Sequence, residues 1–209
     1  HGALPAADGG TRAVLGPGTG LGVAGLLRTD AGWEAIAGEG GHATLAPADD
    51  FKSELLAAAR REFDHVSAER MLSGVGLPVL HRAVAAVLGE PAPALTAEAI
   101  VAHGIDGTDA LCARTLDTFC AMLGSFAGSV ALVLGARGGV YVGGGIVPRF
   151  ADLFLRSRFR ERFEAKGRFR RYLEAVPTAL IVAPHATLSG AAAAIEQRAR
   201  RRPSTAPTA

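Results

Sequence analysis

The sequence predicts an α/β fold. Short apolar segments typical of strands alternate with longer segments of helical periodicity, and glycine-rich loops follow several of the strands. The chain has 209 residues, of which 49% are hydrophobic and 20% are charged, which is ordinary for a folded domain. Its net charge of +2 indicates no strong attraction to nucleic acid or to a membrane surface.

Five segments have the length and apolar character of β-strands, with turn residues around them. A turn at Thr29-Asp30-Ala31-Gly32 joins the second segment to the third. The predicted strands cover residues 12–16, 21–28, 33–37, 138–142 and 179–183.

Helices are predicted between the third and fourth strands and after the fourth and fifth. Ser67 is the expected N-cap of a short helix, because its hydroxyl accepts a backbone hydrogen bond there, and Pro148 suits the first turn of another. A basic helix over residues 156–172 is expected to break at Gly167. The other predicted helices cover residues 49–63, 68–72, 77–88, 96–103, 109–134 and 188–200.

We expect one large domain over residues 12–200, a connecting segment at residues 1–11 and a disordered tail at residues 201–209, which is rich in Pro, Ser and Thr. The first residue is His1 and not Met, so we expect the chain to begin inside a longer protein. Cys112 and Cys120 form no CxxC pattern, which predicts reduced thiols in a cytoplasmic protein.

An uncharged stretch at residues 118–136 is long enough to span a bilayer. It contains small residues such as Gly124 and Gly128, however, and it lacks the aromatic belts that flank membrane spans. A buried helix with small residues at its packing points explains this stretch better than a membrane span does.

The first glycine-rich loop, Gly16-Pro17-Gly18-Thr19-Gly20-Leu21-Gly22, lies between two predicted strands. It has no charged side chain, so its donors to an anion are backbone N–H groups and the Thr19 hydroxyl. A P-loop would need Gly-Lys-Ser/Thr at the start of a helix, which excludes that motif. The pattern indicates a hairpin clamp for phosphate, and the alternative is a hairpin that uses glycine only for its positive φ angles.

The second glycine-rich loop, Gly38-Glu39-Gly40-Gly41-His42, carries a carboxylate and an imidazole. An ionised Glu accepts hydrogen bonds from sugar hydroxyls, and a neutral His both donates and accepts them. Glu69, in the first turn after Ser67, supplies a second carboxylate. Glu39, His42 and Glu69 are therefore candidate hydroxyl-binding residues. The alternatives are a structural role for His42 and helix-dipole stabilisation by an exposed Glu69.

A third glycine cluster, Gly143-Gly144-Gly145, follows a predicted strand and precedes a helix. A backbone this bare admits a flat ligand such as an adenine ring, and the N-terminus of the helix favours phosphate. A tight turn from strand to helix is the alternative, although such a turn needs fewer glycines.

The basic segment at residues 156–171 is interrupted by Glu161 and Glu164, and its phenylalanines lie near helical spacing. Nucleic-acid binding is one interpretation of such a segment. A solvated basic face with an apolar stripe is the favoured one.

Together these motifs resemble the bacterial glucokinase family, which belongs to the actin-like ATPase superfamily together with the hexokinases. The resemblance rests on GPGTGLG, GEGGH, HVSAERMLSG, GGVYVGGGIVPRF and KGRF, and it extends from Val14 to Ile195. It implies the ribonuclease H-like large domain of this fold, with the small N-terminal domain largely missing from the sequence.

The resemblance also implies a function. ATP with Mg²⁺ would be the phosphate donor, glucose the acceptor and glucose 6-phosphate the product, and the assembly would be a cytoplasmic homodimer. No metal-binding side chain, nucleic acid or membrane partner is expected. The residues implied are Glu39, His42 and Glu69 for glucose, Gly18, Thr19 and Gly20 for phosphate, and Gly143, Gly144 and Gly145 for adenosine.

The sequence departs from the family pattern in one respect. Family members begin with an Asp-x-Gly-Gly-Thr-Asn phosphate loop and later present an Asn-Asp pair, whose Asp is the general base. Neither occurs in this sequence, and we expect both upstream of His1. A non-catalytic sugar- or nucleotide-sensing module of the same fold is the alternative function, and a natural start codon close to His1 would favour it.

We expect the purified 209-residue chain to have little or no glucokinase activity, because a hydroxyl acceptor needs a base to orient and deprotonate it. The measurement is the formation of glucose 6-phosphate from ATP and glucose. Robust formation by this chain alone would contradict the expectation.

Overall fold

The computed structural model describes residues 10–30 and 32–201. Five strands form one mixed sheet in the order β3-β2-β1-β4-β5. The β1–β2 and β2–β3 pairs are antiparallel, whereas β1–β4 and β4–β5 are parallel. The strands are β1 (Arg12–Pro17), β2 (Leu21–Thr29), β3 (Gly32–Ile36), β4 (Val140–Val142) and β5 (Thr178–Leu180). The α/β prediction is confirmed.

Nine α-helices connect and cover this sheet in the described part of the chain. They are α1 (Asp50–Ala59), α2 (Ala68–Met71), α3 (Leu77–Leu88), α4 (Ala97–Asp106), α5 (Ala110–Leu134), α6 (Ala151–Arg156), α7 (Phe159–Glu164), α8 (Arg170–Glu174) and α9 (Ala186–Arg201). Short 3₁₀ turns lie at Gly40–His42, Val147–Phe150 and Gly167–Phe169.

Side-chain caps explain where several helices begin. The Ser67 hydroxyl accepts a hydrogen bond from the Arg70 N–H at 3.1 Å, so the predicted N-cap of α2 is confirmed. The Asp109 carboxylate caps α5 by accepting from the Cys112 N–H at 2.8 Å. Pro148 lies in the first turn of a 3₁₀ helix that leads into α6.

The observed bounds differ from the predicted ones at a few ends. Helix α1 stops at Ala59, and the N–H groups of Arg61 and Glu62 bond to carbonyls three residues back, which closes the chain into turns. Strand β4 starts only at Val140, since Gly139 has a φ of +114°. Helix α9 includes Arg201, which was predicted as the first residue of the tail, and residues 1–9 and 202–209 lie outside the described residues.

Helix α5 is the centre of the packing. It is long and apolar enough to cross a membrane, but 67% of its most apolar window is buried inside the fold. A methyl group at Gly124 would overlap the Phe159 carbonyl, and one at Gly128 would overlap the Phe163 carbonyl. These glycines therefore let α7 lie directly against α5, as predicted for a buried helix with small packing residues.

The basic segment at residues 156–171 is tied to the protein by ion pairs and hydrogen bonds. Arg158 pairs with Asp117 at 2.6 Å. The Arg160 guanidinium bonds the Glu164 carboxylate and the carbonyls of Val176, Leu173 and Glu174. The buried side chains of Phe159 and Phe163 agree with the predicted apolar stripe, whereas Arg158 and Arg160 bond to groups of the protein and are not simply solvated.

Two buried cysteines are free thiols. Burial raises the pKa of Cys112 to about 11 and that of Cys120 to about 12. Both side chains therefore stay protonated and inert near neutral pH.

His81 on α3 is 1% exposed and contacts α5. The Thr115 hydroxyl donates to the Leu111 carbonyl at 2.8 Å, so it accepts the hydrogen bond that joins it to His81 Nδ1 at 3.1 Å. The proton therefore sits on Nδ1, and the buried Nε2 has no partner in the described residues. Burial lowers the pKa of His81 below its ordinary value of 6.5.

The free energy of unfolding is expected to fall as the pH drops below 6.5, because His81 takes up a proton in the unfolded chain more readily than in the folded one. The contribution of neutral His81 to stability is fully present above the pKa of His81 in the unfolded chain. It is lost as the pH falls toward the lower pKa of His81 in the folded protein. The pKa values of Asp49 and Asp109 are also lowered from the ordinary value of 3.8, so these carboxylates change the free energy of unfolding only below about pH 3.8. Urea unfolding between pH 7 and about pH 5 measures the slope.

His81→Leu should remove the contribution of His81 to the change of the free energy of unfolding with pH. His103→Leu, a change at an exposed histidine of α4, is the matched control and should keep that contribution. Equal slopes in the two variants would contradict the assignment.

Candidate functional site

The tip of the β1–β2 hairpin is held by the segment that follows α2. Within the tip, the Gly18 N–H donates to the Gly20 carbonyl at 2.8 Å. From outside, the Gly74 N–H donates to the Gly18 carbonyl at 2.7 Å and the Val75 N–H to the Thr19 carbonyl at 3.4 Å. The N–H groups of Thr19 and Gly20 have no acceptor among the described residues, so they are available to a ligand.

The glycine loop at residues 143–145 packs against the start of this hairpin. The Gly143 N–H donates to the Leu15 carbonyl at 2.8 Å. Gly144 has a φ of +79°, and a methyl group on it would overlap the Pro17 carbonyl. In the part of the chain that the structure describes, no carbonyl accepts from the N–H groups of Gly144 and Gly145. The two predicted ligand loops therefore lie side by side with unpaired donors.

None of the glycines of the first loop serves a positive φ angle, and one of them, Gly20, is required by a close approach. None of Gly16, Gly18, Gly20 and Gly22 has a positive φ. A methyl group on Gly18 would lie 3.8 Å from the Gly145 nitrogen, and one on Gly20 would overlap the Glu69 carboxylate. The alternative explanation, a hairpin that needs glycine for left-handed backbone, is therefore wrong.

A cavity of about 380 Å³ opens between these loops and α4. Its mouth carries Arg149 and Glu98, whose charged groups lie 3.9 Å apart. Sequence reasoning missed these two residues, because their separation along the chain gives no local signal. The cavity is lined by Gly18, Thr19, Gly74, Val75, Ala97, Glu98, Val101, Gly145, Ile146 and Arg149.

The Gly38-Glu39-Gly40-Gly41-His42 loop lies flat on β2. A methyl group on Gly41 would overlap the Leu21 carbonyl, and one on Gly40 would lie 2.9 Å from the Val23 side chain. The 3₁₀ turn there is closed by the His42 N–H, which donates to the Glu39 carbonyl at 2.9 Å. Close packing thus requires both glycines and leaves the side chains of Glu39 and His42 exposed.

Two backbone segments then bring Glu69 to His42. Thr44 and Ser67 form an isolated antiparallel bridge, and the Ala68 N–H donates to the Ala43 carbonyl at 2.9 Å. As a result, Glu69 Oε1 lies 3.7 Å from His42 Nε2. Two of the three candidate hydroxyl-binding side chains are therefore neighbours.

The second oxygen of Glu69 holds the hairpin. Glu69 Oε2 accepts a hydrogen bond from the Leu21 N–H at 2.8 Å, and the side chain is half-buried. Glu69 therefore does more than stabilise the dipole of α2, which was the alternative. It connects the loop of His42 with the loop of Thr19.

The described residues were also searched for metal ligands. They contain no group of three or more His, Cys, Asp or Glu side chains that could hold a metal ion.

Comparison with known proteins gives matches of high similarity. The sequence model described as Glucokinase matches residues 2–198. The glucokinase of Aromatoleum aromaticum is 52% identical over 184 residues, which are 88% of this chain and 56% of that relative. A Neisseria meningitidis glucokinase is 50% identical over 190 residues, which are 90% of this chain and 58% of that relative.

Solved structures agree with these matches. A glucokinase from an Antarctic psychrotroph superposes with a TM-score of 0.87 at 43% identity, and the match covers 93% of this chain and 60% of that one. These similarities indicate the class of the sugar kinases of the actin-like ATPase fold. The chain belongs to the glucokinase family. It spans a little over half the length of the curated relatives that it matches.

Gly20→Ala is expected to lower the free energy of unfolding by about 1–3 kcal/mol, because the new methyl group displaces the Glu69 carboxylate and leaves the Leu21 N–H without its acceptor. Urea unfolding measures the change. Gly22→Ala is the matched control, since a methyl group there meets nothing within 4 Å and should change the stability by less than about 0.5 kcal/mol. Equal effects of the two substitutions would show that Glu69 does not occupy the space beside Gly20.

Proposed function

We propose that this chain supplies the sugar- and nucleotide-binding part of a glucokinase, an enzyme that transfers the γ-phosphate of ATP to the 6-hydroxyl of glucose. The observation that carries the proposal is the position of Glu69. Its carboxylate faces His42 at 3.7 Å and accepts the Leu21 N–H of the hairpin at 2.8 Å.

Glucose binding is assigned to Glu39, His42 and Glu69. A carboxylate accepts hydrogen bonds from two neighbouring hydroxyls, and an imidazole donates one or accepts one. Because Glu39 and His42 are exposed beside β2, and no group among the described residues is a closer partner of Glu69 Oε1 than His42, these groups are free to bind a polyhydroxyl ligand. The glycine packing beneath them fixes the backbone from which they project.

ATP binding is assigned to the two glycine loops, with Gly18, Thr19 and Gly20 at the phosphates and Gly143, Gly144 and Gly145 at the adenosine. The residues fit this ligand, because unpaired N–H groups from both loops meet beside the cavity of about 380 Å³. Backbone N–H groups of this kind bind phosphate oxygens without competing side-chain charge.

The described residues offer Mg²⁺ no cage of their own. Mg²⁺ is commonly held through substrate phosphates, and no step of this proposal runs through the ion. That the general base is an Asp of an Asn-Asp pair absent from this sequence stays a prediction, as do the cytoplasmic location and the homodimer.

Glu39→Ala is expected to weaken glucose binding by about tenfold or more, since a hydrogen bond to a charged group contributes about 1.5–3 kcal/mol. Calorimetric titration of the 209-residue chain with glucose measures the effect.

Glu90→Ala, at an exposed carboxylate in the loop after α3, is the matched control and should bind glucose as the unchanged chain does. Equal binding by Glu39→Ala would remove Glu39 from the site. No glucose binding by the unchanged chain at millimolar concentration would overturn the proposal for this chain.

A further inference from the structure

A second and larger cavity lies between β2, β3, α5 and the loop at residues 43–48. Its volume is about 530 Å³, which falls within the range of small-molecule sites. It shares no lining residue with the cavity of about 380 Å³. Its walls are mainly apolar, and the larger apolar side chains among them are Val23, Ile36, Leu45, Phe126, Val130, Val133 and Leu134.

Lys166 is the charged side chain on this wall. Its Nζ lies 2.9 Å from Ser129 Oγ and 3.4 Å from Ser125 Oγ. A lysine ammonium has three N–H donors, so the two hydroxyls leave one donor unused. Among the described residues no carboxylate lies within 4.0 Å of Nζ, and burial lowers the pKa of Lys166.

The position of this ammonium is fixed by packing. A methyl group on Gly128 would lie 3.1 Å from Lys166 Cε, so the lysine stem rests on the backbone of α5. Lys166 belongs to the KGRF segment, which does not line the cavity assigned to ATP, and the hydrogen bonds of its Nζ go to Ser125 and Ser129 and not to the residues assigned to glucose. The proposed kinase function therefore gives this lysine no role.

The charge on the wall limits the kind of anion that would fit. One available ammonium donor matches one carboxylate group, whereas a phosphate dianion needs several charged or backbone donors. The cavity lies along the C-terminal half of α5, whose dipole end disfavours additional negative charge. An apolar wall opposite a single cation therefore suits a ligand with an apolar body and one carboxylate.

We propose that this cavity binds a monocarboxylate with an apolar chain, such as a medium-chain fatty acid. The carboxylate accepts a hydrogen bond from Lys166 Nζ, and the chain lies along Phe126, Val130 and Ile36. The site contains none of the residues assigned to glucose or to ATP.

Calorimetric titration of the 209-residue chain tests the proposal, with octanoate as the probe. Octanoate should bind one to one. Acetate and octan-1-ol should each bind at least about tenfold more weakly. Acetate lacks the apolar chain that contacts the cavity wall, and octan-1-ol lacks the charge that pairs with Lys166. Equal binding of octanol and octanoate, or no octanoate binding, would overturn the proposal.

Lys166→Met keeps the apolar stem and should weaken octanoate binding by about tenfold, whereas Lys166→Arg should retain it. Arg168→Met removes the same charge outside the cavity and is the matched control. Octanoate binding by Lys166→Met that equals the binding of the control would contradict the role of Lys166.

Val133→Asp gives a second variant that does not depend on the lysine. Val133 is 84% exposed, so the substitution should leave the fold intact. The new carboxylate should compete with octanoate for the Lys166 ammonium and thereby weaken octanoate binding. Val182→Asp, at a site 68% exposed outside the cavity, is its control.

Sedimentation velocity tests whether a second copy of the chain covers the cavity instead. A dimer that Val133→Asp dissociates and that binds no octanoate would overturn the proposal.

Discussion

The Glu69 carboxylate joins the two halves of the candidate site. One oxygen faces the imidazole of His42, and the other accepts the Leu21 N–H. A carboxylate has acceptor capacity for several hydrogen bonds, so both contacts leave room for ligand hydroxyls. Because a single rigid group makes both contacts, α2, the hairpin and the loop of His42 keep fixed positions relative to one another.

The backbone around α2 makes that arrangement possible. Upstream of the helix, the bridge between Thr44 and Ser67 sets the distance from the His42 loop. Downstream of it, the Gly74 N–H holds the tip of the hairpin through the Gly18 carbonyl. A helix of only four residues has little stability of its own. Its place is therefore set by these contacts at both ends and by the Ser67 cap.

Local signals predicted most of the elements, although the predicted basic helix over residues 156–172 is divided into α7, a 3₁₀ turn and α8. They also identified His42 and Glu69, which the structure brings together. Ser67 marks the start of α2, and the alternation of strands and helices gives the α/β class. The residues that complete the cavity could not be predicted, because Glu98 and Arg149 are brought together only by tertiary packing. The structural reason for glycine in the hairpin could not be predicted either. The requirement at Gly20 comes from Glu69, which lies about 50 residues further along the chain and which no local pattern links to the hairpin.

The apolar cavity is separated from the side chains assigned to glucose by little more than the backbone of the sugar loop. Gly38 and Gly40 line the apolar cavity, and Glu39 between them projects from the same turn. Gly40 has no side chain because Val23 fills the space where one would lie. The backbone between the apolar cavity and Glu39 is therefore a single layer that packs directly on β2. Since protein interiors are close-packed, a change in the shape of the apolar cavity would be felt by the backbone that carries Glu39. The position of the sugar loop thus depends on packing on both of its sides, with α2 and Glu69 on one side and the aliphatic wall on the other.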